Sequence, residues 1–368
     1  MAKETERRKE EHIRISLNHD VQAKKATTGF EEVYLIHKAL PEIDKQEINL
    51  STTVLGHKFS APLIVGAITG GTKEATKINA AIAEAVEKLG LGMGVGSQRA
   101  AIEDKRLDET FAIARKKAPT AFLIANIGGV QLARSYEKKE IERAIKMIDA
   151  DALAVHLNPL QEAVQPEGQT NFKGVLEKIS ELAEKLDVPI IAKETGAGIA
   201  AEEAKKLEDA GVKAIDVSGS GGTSFAAVEY HRAKEKENKF QSILGEAFWD
   251  WGIPTAISVV EVSQTVKIPV IASGGVRSGM DMAKAIALGA SLTSLSHPIL
   301  KAAVKGGAEE TENILSFLIE ELRNTMFLVG AKTVKDLQKA PVVITGKTAE
   351  WLRTRGFNIE DYAKRGRC

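Results

Sequence analysis

The stretch HLNPLQE at positions 156–162 gathers an imidazole (His156), two carboxamides (Asn158 and Gln161) and a carboxylate (Glu162) within seven residues. Neutral hydrogen-bonding groups around one carboxylate suit a diphosphate held with a divalent ion. A hard Mg²⁺ takes one or two protein carboxylates and completes its shell with phosphate oxygens and water. Glu162 is thus the candidate metal ligand, against the plainer reading of a surface glutamate opening a helix. His156 alone reads as a structural histidine, and its company shifts it toward function. Pro159 keeps a helix from starting earlier.

A second concentration of chemistry is glycine-rich: SGSGGT at 218–223 and SGGVR at 273–277. Glycine lets backbone N–H groups come close to an anion. Ser218 and Thr223 add hydroxyls, and the Arg277 guanidinium can chelate phosphate. One such loop is only a tight turn; two with these neighbours point to a phosphate site. Lys193 closes an apolar run and carries an amine suited either to a Schiff base or to hydrogen-bonding a planar ring. Asn126 offers an amide to a heterocycle edge. The basic residues Arg8 and Lys9 sit in a charged N-terminal segment that is either a solvated tail or a cover that neutralises a diphosphate.

These groups need a scaffold that brings them together. Eight apolar runs of strand length occur at 62–67, 91–96, 121–127, 152–157, 189–193, 214–217, 269–273 and 291–295, each followed by small or polar residues. Amphipathic stretches lie between most of them. In 73–89, Ile78, Ile82 and Val86 form one helical stripe. The stretches 172–186 and 200–210 repeat the period, and Gly211 stops the second. The alternation predicts an α/β fold, a (β/α)₈ TIM barrel, with a doubly wound sheet as the structural alternative. A barrel puts its active site at the C-terminal ends of the strands, where every candidate except the N-terminal pair falls. The chain reads as one barrel domain over 1–368. Its core is about 61–300, preceded by an N-terminal extension or lid (1–60). An insertion comes after strand 6 (225–255), and its charged run 231–239 reads as a solvated helix face. A C-terminal extension (299–368) is expected to be helical to about Leu328 and loop-rich beyond.

Fifty basic residues balance fifty acidic ones, which argues against nucleic acid or a membrane surface as partner. No run of about 18 apolar residues is present, and the charged start does not read as a signal peptide. One cysteine, Cys368, excludes a disulfide framework and a cysteine metal site and fits a reducing compartment.

The segments RKEEHI (8–13), TGG (69–71), GSQR (96–99), ANIG (125–128), HLNPLQE with QPEG (156–168), DVSGSGGT (216–223), WGIPT (251–255) and ASGGVRSG (272–279) resemble those of the type 2 isopentenyl-diphosphate isomerases. The resemblance runs in order from residue 8 to about 300. HLNPLQE with QPEG is specific to that family, SGGxR is shared with other FMN barrels, and 301–368 carries no motif. The resemblance implies interconversion of isopentenyl and dimethylallyl diphosphate without net redox change. It implies FMN in its reduced form, with NADPH or another donor as electron source, and Mg²⁺. FMN would be held by Ala67, Ile68, Thr69, Ser97, Asn126, Lys193, Ser218, Thr223, Gly275, Val276, Arg277, Ser296 and His297. Substrate would be held by Arg8, Lys9, Ser97, Gln98, Arg99, His156, Asn158 and Gln161, and the metal by Glu162. Lys193, His156 and Gln161 would be catalytic, around the flavin N5. Ile68 replaces a methionine common in the family, and Ser296 with His297 replaces a more apolar pair. A cytoplasmic homo-oligomer, tetramer or octamer, is implied. The rival expectations are an FMN oxidase or dehydrogenase of a small 2-hydroxy acid and, more remotely, a non-catalytic sensor of a phosphorylated ligand.

Overall fold

The computed structural model describes residues 2–366, with side chains from Glu4 onward, so Cys368 lies outside the described residues. All eight expected runs form strands, labelled here β1 (Leu63–Val65), β2 (Gly92–Gly94), β3 (Phe122–Gly128), β4 (Ala152–Leu157), β5 (Ile190–Glu194), β6 (Ala214–Asp216), β7 (Val270–Ala272) and β8 (Leu292–Leu295). They close into a barrel in the order β7-β8-β1-β2-β3-β4-β5-β6, every pair parallel. This excludes the open doubly wound sheet.

Strand periodicity explains what stands at the barrel mouth. Side chains alternate between the two faces of a strand. Ile64, Ile124, Ala154, Ile191, Ala214, Ile271 and Leu292 form an apolar cluster distinct from the shell between strands and helices. Two residues further along each strand, on the same face, come Gly66, Asn126, His156, Lys193, Asp216, Ser273 and Ser294. Register places three of them side by side: His156 pairs with Lys193, and Lys193 with Asp216. The antiparallel hairpin Thr52–Val54 with His57–Phe59 adds Val54 and Phe59 to the apolar end.

The expected helix over 73–89 is present as Lys73–Leu89. Thr72 caps its start by accepting from the Ala75 N–H, Gly90 ends it at φ 63°, and Ile78, Ile82 and Val86 are buried. The other two helices are Val175–Lys185 and Ala201–Asp209. The last 70 residues depart from expectation. Helix runs from His297 to Val329 with a break at Gly306–Gly307, but the segment beyond Val329 is not loop-rich. It contains the strand Val342–Ile344, which pairs antiparallel with Val33–Leu35, and the helices Val334–Gln338, Gly346–Thr354 and Glu360–Lys364. The N-terminal segment is also ordered: Ala2–Asn18 is a helix with Ile13 and Ile15 buried. No helix among the described residues is long and apolar enough to cross a membrane.

Candidate active site

One large cavity opens at the C-terminal ends of the strands, and residues from all eight strands or the loops after them line it, together with the N-terminal helix.

The cavity gathers the residues expected to hold a flavin, one excepted. Ala67, Ile68, Thr69, Ser97, Asn126 and Lys193 line it, as do Ser218, Thr223, Gly275, Arg277, Ser296 and His297. Val276 does not; its side chain is buried in the apolar shell and only its carbonyl takes part, accepting from Arg277 Nη1 at 3.0 Å. The glycine loops press together. A Cβ on Gly222 would stand 2.4 Å from the Gly275 nitrogen, and Gly274 and Gly275 have φ of 96° and 72°. Ser218 sits at φ 38°, a strained conformation for a residue with a side chain. The Thr69 hydroxyl is buried without a partner, an orphaned group of the kind a bound ligand satisfies. These features fit FMN.

Lys193 Nζ donates to the Glu194 carbonyl at 2.6 Å and lies 4.0 Å from Asp216, which in turn accepts from the Ser273 hydroxyl. Burial raises the Asp216 carboxyl above its ordinary range, with Lys193 opposing. Glu194 anchors the loop after β5 by accepting from the N–H groups of Thr195, Gly196 and Ala197 at 2.5–2.7 Å. Burial pushes its carboxyl up to about 7, although those three donors and Lys193 pull the other way.

His156 stands beside Lys193, its register partner on the adjacent strand. Asn126 Nδ2 donates to the Val95 carbonyl at 3.1 Å, which leaves Oδ1 to accept from His156 Nδ1 at 2.8 Å. That assigns the proton to Nδ1 and leaves Nε2 an acceptor. Burial, then Lys193, Lys9 and Arg8, push the imidazole down to about 3, so His156 is neutral. The Asn126 amide is thereby half committed, with one hydrogen and one lone pair left for a heterocycle.

The cavity also holds a group of side chains that suits a polyanion: Arg8, Lys9, Arg99, Asn158, Gln161 and Glu162. Glu162 is not the exposed residue of the plainer reading: it is 7% exposed, accepts from Asn158 Nδ2 at 3.1 Å and takes the Gln169 N–H at 2.6 Å. Asn158 Nδ2 also donates to Gln161. No cluster of three metal-ligating side chains occurs among the described residues, so a divalent ion here would rest on one carboxylate and on ligand oxygens. Lys9 Nζ donates to the Ser97 carbonyl at 2.8 Å, and burial followed by neighbouring Arg8 pushes its amine down to about 7. Arg99 pairs with Glu103 at 2.8 Å. Gln98, expected to touch substrate, is fully buried and turned away. Its Nε2 donates to the Ala144 carbonyl and its Oε1 accepts from the Asn126 N–H, so it braces β3 instead.

Sequence reading missed the residues that dock the N-terminal helix. His12 is paired with Glu229 at 2.8 Å, and Glu229 is held by Arg232 at 2.5 Å. Arg232 also reaches Glu11 at 2.9 Å and Glu167 at 2.6 Å. In the amide orientation that satisfies both neighbours, Gln165 links Glu229 to Arg8. Arg232 falls in the run expected to be a solvated face, yet its side chain is 1% exposed. The only sequence signal was the i, i+3 spacing of Glu229 and Arg232 in the helix Phe225–Glu235.

The sequence profile of the FMN-dependent dehydrogenases matches residues 1–157 and 152–344. An isopentenyl-diphosphate delta-isomerase of Methanothermobacter thermautotrophicus is 52% identical over 358 residues, covering 97% of this chain and 99% of that one. One of Pyrococcus furiosus is 49% identical over 365 residues, covering 97% and 91%. The chain belongs to the isopentenyl-diphosphate delta-isomerase family. Within it, FMN dependence follows from the dehydrogenase profile together with these relatives. In fold the family's barrel resembles a lactate oxidase of Pediococcus acidilactici (TM-score 0.67, 18% identity, 94% of each chain) and a mandelate oxidase (TM-score 0.60, 20% identity, 87% of this chain and 90% of that one). At that identity the likeness shows the fold alone. The 2-hydroxy-acid expectation therefore rests on shared architecture, whereas the isomerase relatives match along nearly the whole chain.

Proposed function

We propose that this chain interconverts isopentenyl and dimethylallyl diphosphate, with FMN held by the strand-end residues and glycine cradle and the diphosphate by the group from Arg8 to Glu162. The single observation that carries the reading is that one cavity is lined both by a glycine cradle with Arg277 beside it and by a cationic group of side chains around one buried carboxylate, Glu162. Reduced FMN would supply acid–base chemistry at its ring N5.

The chain's own residues do the rest by positioning. Lys193 Nζ, held by the Glu194 carbonyl and 4.0 Å from Asp216, would donate a hydrogen bond to the ring. Neutral His156 contributes an acceptor at Nε2 and no proton. Asn158 fixes the Gln161 amide and the Glu162 carboxylate together, so that Mg²⁺ on Glu162 and a diphosphate beside Gln161 share one rigid support. Arg8, Lys9 and Arg99 neutralise the diphosphate. Its binding energy is made far from the reacting carbons and serves to hold them in place. NADPH as reductant, a tetramer or octamer in solution, and a cytoplasmic setting complete the reading.

The test compares substrates on one preparation. Reduced, Mg²⁺-loaded protein is expected to turn over isopentenyl diphosphate, and the oxidised protein is expected to leave lactate and mandelate unoxidised. Flavin reduction by either 2-hydroxy acid, with no isomerisation, would overturn the proposal in favour of the oxidase reading.

A further inference from the structure

Between the N-terminal helix and the first barrel strand, the chain crosses the mouth on the β6–β8 side, and it is firmly held there. Ser224 N–H donates to the Val21 carbonyl and Ala23 N–H to the Gly222 carbonyl, both at 2.8 Å. Trp249 Nε1 donates to the Gln22 carbonyl at 2.8 Å, and Asp250 gathers the N–H groups of Lys24, Lys25 and Ala26. Val21 is fully buried. The Gln22 side chain is thereby aimed at three groups of the glycine-cradle wall. Its Oε1 accepts from Arg277 Nη2 at 2.8 Å, and its Nε2 faces Thr223 Oγ1 at 3.2 Å and His297 Nδ1 at 3.5 Å. His297 Nε2 is 2.9 Å from the Ser16 carbonyl at the end of the N-terminal helix.

One protonation pattern satisfies the whole set. A carbonyl can only accept, so His297 carries its proton on Nε2 and offers Nδ1 as an acceptor. Gln22 Nε2 then gives one hydrogen to that nitrogen and one to Thr223, while Oε1 holds the guanidinium. A carboxamide does this without placing a charge beside an entering phosphate, and so holds Thr223, Arg277 and His297 in position for it. A carboxylate at the same place could only repel it.

Resting on the FMN reading above, we propose that Gln22 is a further residue of the site for the cofactor's phosphate. Through it, cofactor occupancy is coupled to docking of the N-terminal helix that carries Arg8 and Lys9. Gln22 orders Thr223, Arg277 and His297 around the phosphate. Because Gln22 and Ser16 lie on the same segment as Arg8 and Lys9, the phosphate stabilises the docked segment, and by linkage the docked segment stabilises the phosphate.

The test uses full-length protein stripped of flavin, titrated with FMN and with riboflavin, which has the ring but no phosphate. Binding is read by flavin fluorescence at protein concentrations that reach the weaker dissociation constant. Gln22→Ala is expected to weaken FMN about tenfold, the loss of a hydrogen bond to a charged group. Gln22→Glu is expected to weaken FMN further, and riboflavin is expected to stay within about twofold in both. FMN, but not riboflavin, is expected to slow tryptic cleavage after Arg14 in the wild type, and Gln22→Glu is expected to abolish that difference. Equal weakening of both flavins, or no change in either, would overturn the role of Gln22. A wild-type protein that binds riboflavin as tightly as FMN would instead overturn the phosphate assignment on which the proposal rests.

Discussion

Replacing Arg232 with Met tests how the N-terminal helix is held to the barrel. The thioether chain keeps much of the aliphatic volume and removes the charge. In the wild type the guanidinium, 1% exposed, answers three carboxylates: Glu229 at 0% exposure, Glu11 at 16% and Glu167 at 28%. Removing one partner of a buried ion pair costs about 3–5 kcal/mol, because the other charge stays buried and unpaired. Glu11 and Glu167 can turn to water, and Glu229 keeps His12, so the loss belongs near 3 kcal/mol. That is roughly two decades in the helix-docking equilibrium. Since a competent site needs the docked helix, KM for the diphosphate should rise as the reciprocal of the docked fraction, and FMN affinity should fall with it through the same linkage. Trypsin should cut within the first 14 residues much faster than in the wild type. Adding Glu229→Gln should return part of the loss, because the stranded charge is gone. Unchanged proteolysis together with unchanged KM in Arg232→Met would refute the reasoning.

The same geometry makes three further outcomes measurable. Glu162→Gln should raise the Mg²⁺ concentration needed for half-maximal activity by at least about 10–100-fold and keep its flavin spectrum; an unchanged Mg²⁺ titration would remove Glu162 as the ligand. Lys9, pushed down to about 7, is charged below that pH and neutral above it, so KM should climb as pH rises from 7 to 9. Lys9→Arg should flatten that climb, and an identical climb in the variant would show that Lys9 is not its source. His156, pushed down to about 3, cannot take up in the folded state the proton that the unfolded chain accepts near 6.5. Its contribution to stability is therefore present above about pH 6.5 and lost as pH falls toward 3, at up to about 1.4 kcal/mol per pH unit. His156→Gln should shallow the fall of the thermal midpoint between pH 7 and 5, and the same slope in both proteins would contradict the assignment.

What sequence could and could not foresee has a physical pattern. Asn126, His156 and Lys193 were legible because each stands two residues beyond an apolar interior position, and the period of a strand carries the side chain to the mouth. Glu162 was legible through its spacing, but its burial was not, since that depends on the Gln169 N–H and on the helix laid across it. Gln98 misled because GSQR reads as one contiguous motif, while in a loop without period neighbouring side chains can face opposite ways. Glu229, Arg232 and Gln22 were invisible for a common reason: their partners lie 217, 221 and 201 residues away, in His12, Glu11 and Thr223. The strand Val342–Ile344 was missed because three residues are too few to show a period, and its partner Val33–Leu35 lies at the other end of the chain.

The most direct measurement is to reduce the enzyme-bound flavin once, without oxygen or added donor, supply Mg²⁺ and isopentenyl diphosphate, and count product per flavin. The account predicts many molecules of dimethylallyl diphosphate per flavin, approach to the same isomer ratio from either side, and a flavin still reduced at the end. One product or fewer per flavin, with the flavin left oxidised, would contradict it.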